Sequence, residues 1–441
     1  MEEYGYLWQL ALILASTKLF GLVTKKFKMP QVVGALLAGL ILGPAILGNL
    51  LNGVVIGGHN LGALTLYQTP FIDHMAEIGV IVLMFCAGLE TDINELKKCG
   101  LASFIIAMLG VIVPLIGGGA FTYLFLEEGW IDPSKSASLF MQAVFVGVVL
   151  TATSVSITVE TLQEMGKLKT ASGNAILGAA IIDDILGIIA LTIVTSCADK
   201  SVNIGLVMLK IVLFFVFAIV VAVAFNFAFN KWSGRSKKDL RRYVIIGFVF
   251  CLLMSYCAEK FFGVADITGA FVAGLALSNG PRATYLTNRF ETLSYMLLSP
   301  VFFASIGLKV VIPKMSASII IFAVVLLVIA VLTKIIGCGL GAKICKFSNK
   351  DSLRIGIGMI SRGEVALIVA SKGEAVGLMN DKYFGPIVIT VVVTTIITPI
   401  LLKFVYKSKD SDKDSKGELE VDKFTKGTAF EEHEQSLVEG K

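Results

Sequence analysis

Apolar stretches of about 17–25 residues, the length a helix needs to cross a bilayer, recur along this chain with short polar loops between them. In hydrocarbon every backbone N–H and C=O must be satisfied inside the protein, and a helix does this within a single segment. Counting such stretches gives about thirteen spans. They fall near 4–23, 29–48, 75–93, 101–126, 137–160, 171–196, 204–229, 242–258, 263–279, 290–312, 316–341, 354–372 and 383–405. With 56% hydrophobic and only 16% charged residues, and a mean hydropathy of +0.82, the chain is far more apolar than a soluble core of this size requires. The fold class is therefore an all-α polytopic membrane protein.

The charges carry topology. Lys25, Lys26 and Lys28, Lys97 and Lys98, Lys167 and Lys169, the group from Lys231 to Arg242, Arg282 and Arg289, and Lys343 to Arg354 all fall in loops on one side. The opposite loops hold few basic residues. By the positive-inside rule the N-terminus lies outside and the C-terminus in the cytoplasm. The net charge of +5 is thus a topology signal, and no nucleic-acid partner is expected. The opening MEEYGY lacks the basic start of a cleavable signal, so the first span is expected to stay in the membrane. Seven cysteines without CxxC spacing and three scattered histidines give no disulfide or metal framework. After Val405 the composition turns polar and mixed in charge, so 406–441 reads as a disordered cytosolic tail.

An internal repeat organises the spans. VVGALLAGLILGP at 32–44 matches ITGAFVAGLALSNGP at 267–281, aligning Gly34 with Gly269, Ala38 with Ala273 and Gly39 with Gly274. LMFCAGLETDI at 83–93 matches VFFASIGLKVV at 301–311 more weakly. Both matches are seven spans apart, and an odd offset means that the copies cross in opposite directions, as in an inverted-topology repeat. The membrane domain, 1–405, then divides into repeat one (about 4–196), a linker helix (about 204–229) and repeat two (about 242–405).

Within the sixth span, GAAIIDDILG places Asp183 and Asp184 side by side in an apolar run. A charge at the bilayer centre costs roughly 2.5–3.5 kcal/mol on insertion scales, so the pair needs compensation. Neighbouring helix positions point about 100° apart, so one carboxylate can face an ion pathway and the other a partner. Lys334, among Gly337, Gly339 and Gly341 in the eleventh span, is the candidate partner; the alternative is that it snorkels to the cytosolic surface. The fifth span holds LTATSVSIT at 150–158 and the twelfth GIGMISRGEVALIVA at 356–370. Both are poor helix interiors and suit discontinuous helices whose freed ends coordinate ions at the midplane. Back-bonding of the hydroxyls to preceding carbonyls is the simpler reading of the first. A structural ion pair between Arg362 and Glu364 is the simpler reading of the second, with Glu364 also able to assist the surroundings of Lys334.

Taken together, TATS, IIDDILG, the span-eleven lysine before IGCGLGAK, and SRGEVALIVA resemble the cation/proton antiporter superfamily, in particular its second branch of bacterial Na+/H+ antiporters. The resemblance covers residues 4–405 with the motifs in order. It implies two inverted six-helix units with crossed discontinuous fifth and twelfth helices, a core and a dimerisation domain, and a homodimer in the cell (inner) membrane. By motif position Asp184 resembles the principal ion- and proton-carrying carboxylate, Asp183 the aspartate salt-bridged to the lysine (here Lys334), and Thr153 a polar ligand beside the ion. Arg362 and Glu364 are expected as a supporting charged pair.

The expected function is secondary-active monovalent cation/proton antiport, foremost Na+/H+ exchange, with both ions competing for Asp184. Carboxylate and hydroxyl oxygens suit a hard monovalent cation, so Na+, Li+ or K+ and H+ are the expected partners, with membrane lipid around the chain, and no cofactor or enzymatic activity is expected. K+/H+ antiport is the alternative; a Na+-coupled organic-solute symporter is a second, although two carboxylates and a buried lysine so close together favour an ion-sized site. A channel or a sensor is a further class, separable by flux and by tolerance to loss of Asp184.

Overall fold

The computed structural model describes residues 5–26, 29–48, 50, 55–56, 59–60, 65–91, 93–130, 133, 137–198, 204–233, 241–280, 282–310, 316–375, 377–379 and 383–407. The expected tail is thus almost wholly outside the described residues. The described residues are helical almost throughout. In order it forms α1 (Gly5–Lys26), α2 (Gln31–Leu42), α3 (Pro70–Glu90), α4 (Ile93–Glu127), α5 (Leu139–Thr151), α6 (Val155–Glu164), α7 (Ala171–Ala198) and α8 (Ile204–Ser233). There follow α9 (Arg241–Cys257), α10 (Asp266–Ser278), α11 (Ala283–Leu293), α12 (Ser299–Leu308), α13 (Ala317–Ile344), α14 (Asn349–Gly358), α15 (Glu364–Ala375) and α16 (Phe384–Tyr406). Among the described residues the one extended pairing is a two-residue hairpin, Val55–Ile56 against His59–Asn60.

Local chemistry starts these helices where the spans begin. Thr69 caps α3, with Pro70 in its first turn, and Ser138, Ser316 and Ser348 cap α5, α13 and α14 by accepting a backbone N–H three residues on. Such caps satisfy donors that a helix cannot satisfy itself. Eleven helices among the described residues are long and apolar enough to cross a membrane. Of the remaining expected spans, 263–279 holds the shorter α10 and 354–372 is divided between α14 and α15. The tenth begins earlier than its apolar run suggests, because α11 carries Arg289 and Glu291 and joins α12 through a π-helical turn, Ser294–Leu298.

Packing sorts the helices into two bundles. One contains α1 to α3 with α9 to α12; the other contains α4 to α7 with α13 to α16; α8 leans on α10 in the first and α7 in the second. In the first bundle the contacts are reciprocal, α2 on α12 and α10 on α3. Glycine permits both crossings. An added Cβ on Gly39 would strike the backbone of Ala304, and one on Gly307 the backbone of Leu36 and Leu40. Gly88 and Gly274 face each other likewise, each denying the other room for a Cβ, with Cα atoms 3.0 Å from the would-be methyl. This is the close backbone approach that small residues allow between membrane helices, where dispersion rather than water exclusion drives association.

Substituting Gly274→Leu should force α3 and α10 apart at a cost of about 1–3 kcal/mol or more. We expect a lower melting temperature and loss of the monodisperse species in detergent, whereas Gly100→Leu, where an added Cβ meets nothing within 4 Å, should leave both unchanged.

Candidate functional site

The second bundle contains two helices that stop inside the membrane. After Thr151 the chain runs extended through Ala152 to Ser154 before α6 begins, and after Met359 it is non-helical to Gly363 before α15 begins. These are the TATS and SRGE stretches. The two segments cross and hydrogen-bond: the Ser154 N–H donates to the Ser361 carbonyl (2.7 Å), and the Ser361 hydroxyl donates to the Ser154 carbonyl (2.9 Å). Gly363 has no room for a side chain, since an added Cβ would lie 2.8 Å from Ser154 Oγ. Breaking a helix frees carbonyls at one end and N–H groups at the other. Thr158 donates to the freed Gly358 carbonyl (2.7 Å) and lies 2.8 Å from the Ser361 hydroxyl.

Arg362 does the rest. It is 1% exposed, and its guanidinium donates to three carbonyls: Leu150 at the end of α5 (2.8 Å), Ile360 in the non-helical segment after α14 (3.0 Å) and Ala330 in α13 (3.0 Å). Helix C-termini carry partial negative charge, so this cation sits where two such ends converge. Its own carbonyl accepts from Thr395 of α16. The partners seen for Arg362 are therefore backbone oxygens; the side chain of Glu364, its expected partner, lies outside the described residues.

One helical turn along α13 from Ala330, Lys334 turns inward. It has no exposed surface and bonds both Asp183 oxygens, at 3.0 and 3.1 Å. Snorkelling is thereby replaced by a fully enclosed ion pair. Gly110 of α4 and Cys338 of α13 wall it in: a Cβ at Gly110 would be 2.5 Å from the Cys338 sulfur, 3.7 Å from Lys334 Nζ and 3.8 Å from Asp183 Oδ1. Asp183 also interacts electrostatically with Arg362. Asp184, the next residue, is only half-buried. Its helix, α7, packs against α5, α6 and α14, beside both broken helices.

The hydroxyl cluster divides by role. Thr151 back-bonds to Val148 (2.7 Å) and Thr161 to Ile157 (2.7 Å), while Ser154 and Thr158 join the crossing. Thr153 differs: it is 2% exposed and its hydroxyl has no hydrogen-bond partner. Burying a hydroxyl without a bond costs free energy, so this oxygen is available to a ligand. The stretches 150–158 and 356–370 contain Thr158 and Ser361, but the contact between the two was not legible in the sequence, and Thr395 was missed. The correspondence of spans six and thirteen could have drawn attention to Thr394 and Thr395, the polar residues of α16 in the region matching the aspartates.

A membrane-spanning helical chain with two broken helices crossed at a buried acid–base pair has the architecture of a secondary transporter, in which irregular backbone lines an ion site. Residues 11–407 match the family described as "Sodium/hydrogen exchanger, transmembrane", and the chain belongs to that family. It is 38% identical to the Na+/H+-K+ antiporter GerN of Bacillus cereus over 391 residues, covering 88% of this chain and 93% of that protein. It is 34% identical to a Na+/H+ antiporter of Enterococcus hirae over 402 residues, covering 89% and 94%. In fold it is similar to the sodium proton antiporter MjNhaP1 of Methanocaldococcus jannaschii, with a TM-score of 0.62 at 18% identity over 92% of this chain and 99% of that one. The chain is a transporter, not an enzyme.

Removing one partner of a buried ion pair leaves an uncompensated charge and typically costs 3–5 kcal/mol. Lys334→Ala should therefore lower the melting temperature in detergent sharply, and the double variant Asp183→Asn with Lys334→Gln should recover most of the loss.

Proposed function

We propose that this protein exchanges Na+ for H+ across the cell membrane by alternating access, with Asp184 as the carboxylate that binds either ion in turn. The observation that carries this reading is Thr153: a buried, unbonded hydroxyl at the break of α5 and α6, on the helix pair against which the Asp184 helix packs. A hard monovalent cation takes oxygen ligands, and a carboxylate, a hydroxyl and backbone carbonyls would supply them. Asp183 is fully enclosed with Lys334, whereas Asp184 is only half-buried, which suits Asp184 to the alternating role. A proton neutralises Asp184 as a cation does. If only the neutralised site crosses between the faces, competition by itself produces exchange.

The reciprocal helix contacts of the first bundle and the paired breaks of the second support an inverted repeat of two six-helix units joined by α8. In that arrangement the second bundle moves as the core and the first serves as a scaffold, through which two copies would pair. The distribution of basic loops supports a cytoplasmic C-terminus. K+/H+ exchange is the second reading, favoured by the K+ in the name of the Bacillus cereus relative.

In inverted vesicles loaded with a pH dye, Na+ or Li+ should collapse the proton gradient for the wild type and not for Asp184→Asn. Thr153→Val should raise the apparent KM and leave the maximal rate within a few-fold. Low pH protonates Asp184 and excludes Na+, so apparent KM should rise as pH falls, by about tenfold per unit for one competing proton. A slope of two would mean that the Asp183–Lys334 pair also exchanges a proton. Normal exchange by Asp184→Asn would end the proposal.

A further inference from the structure

The two bundles meet along a seam formed by α6 on α2 and α3, and by α16 on α2. Most of its length is apolar. A narrow crevice with room for nothing larger than a water molecule lies in it, lined by Leu36 and Leu40 of α2, Ile306 and Val310 next to it, and Val392 and Thr395 of α16. Apolar surfaces of this kind hold helices together without fixing their register, since dispersion has little directionality.

The end of the seam that bears the basic loops is different. There the last turn of α6 reaches into the other bundle with two consecutive polar side chains. Gln163 donates to Glu90 at the end of α3. Glu164 sets both carboxylate oxygens on the start of α2, one accepting from the Gln31 N–H (2.6 Å) and the other from the Val32 N–H (3.2 Å). The residue preceding α2 is Pro30, whose side chain makes no capping bond. The first N–H groups of a helix need an acceptor, and a carboxylate also answers the positive end of the helix dipole. Helix α2 therefore takes its cap from the opposite bundle. Directional bonds at this end of the seam, Gln163 to Glu90 and the charge-assisted cap of Glu164 on α2, favour one relative position of the bundles where the apolar remainder does not.

We propose that Glu164 is a latch: its carboxylate, seated on the N-terminus of α2, holds the core bundle against the scaffold at the basic-loop end, and release of this cap is a step of each transport cycle. The latch rests on the alternating-access reading, since it has work to do only if the bundles move past each other. It selects the conformation shown here over the one in which α6 has moved away, by about tenfold for a charge-assisted bond. Glu164 is thus a positioning residue, remote in role from the ion ligands.

The test has two arms. In nanodiscs, hydrogen exchange at the first turn of α2 should rise about tenfold in Glu164→Ala, and less in Glu164→Gln, whose amide oxygen still accepts; unchanged exchange would overturn the cap. In the second arm Gln31→Cys and Glu164→Cys are combined, with Cys99, Cys257 and Cys345 changed to Ser, and bridged by a short bifunctional thiol reagent in vesicles. Bridging should stop Na+-driven proton movement and reductant should restore it. Full transport while bridged would show that the two residues need not separate, and the latch falls. If neither the wild type nor the unbridged variant moves any cation with protons, the antiport reading fails instead, and the exchange arm still decides whether Glu164 caps α2.

Discussion

Backbone that leaves the helical conformation at membrane depth must find its hydrogen-bond partners within the protein, because lipid offers none. Everything distinctive in this structure answers that constraint. Two breaks, at 152–154 and 360–363, would each leave polar groups unpaired. Crossing them lets one supply what the other lacks, through the Ser154–Ser361 pair. What the crossing leaves over, the carbonyls at the helix ends, is taken by Thr158 and by the guanidinium of Arg362. A planar group with five donors is suited to this as a lysine is not. By bonding to α5, α13 and the segment after α14 at once, Arg362 also ties three parts of the second bundle together.

The Asp183–Lys334 pair follows from the same economy of charge. Two full charges in a region without water gain from one another only when the geometry is close and other polar groups lie near. Here the lysine meets both carboxylate oxygens, and the narrow space between Gly110 and Cys338 excludes anything larger. The pair fixes α7 against α13, which settles where the next residue, Asp184, can lie. Adjacent aspartates thus acquire unlike surroundings: one is fully enclosed beside Lys334, while the other is only half-buried.

The sequence carried the parts of this that depend on composition and period. Span length and hydropathy located each helical stretch, and the poor helix formers at 150–158 and 356–363 marked where helices would stop. The need to compensate Asp183 and Asp184 led directly to a buried lysine as candidate. Less accessible were contacts made between segments far apart in the chain. Arg362 and Glu364 stand two residues apart and suggest a local pair, yet the guanidinium turns to carbonyls 32 and 212 residues away. Nothing in a linear pattern distinguishes Thr151, which bonds its own helix, from Thr153, which bonds nothing. Likewise the first turns of α11 fell outside the expected span 290–312 because polar residues and Arg289 interrupt the apolar run there.

The unbonded hydroxyl of Thr153 has a consequence for how such a protein can change. Ser154, Thr158, Ser361 and the terminal nitrogens of Arg362 are spoken for by the fold, so altering them disturbs the architecture together with the site. Thr153 gives up no bond when it is replaced. Under the proposed role of Thr153 as an ion ligand, ion preference could drift at this position while the scaffold stays as it is, one physical route by which chains of a single architecture would come to handle different monovalent cations.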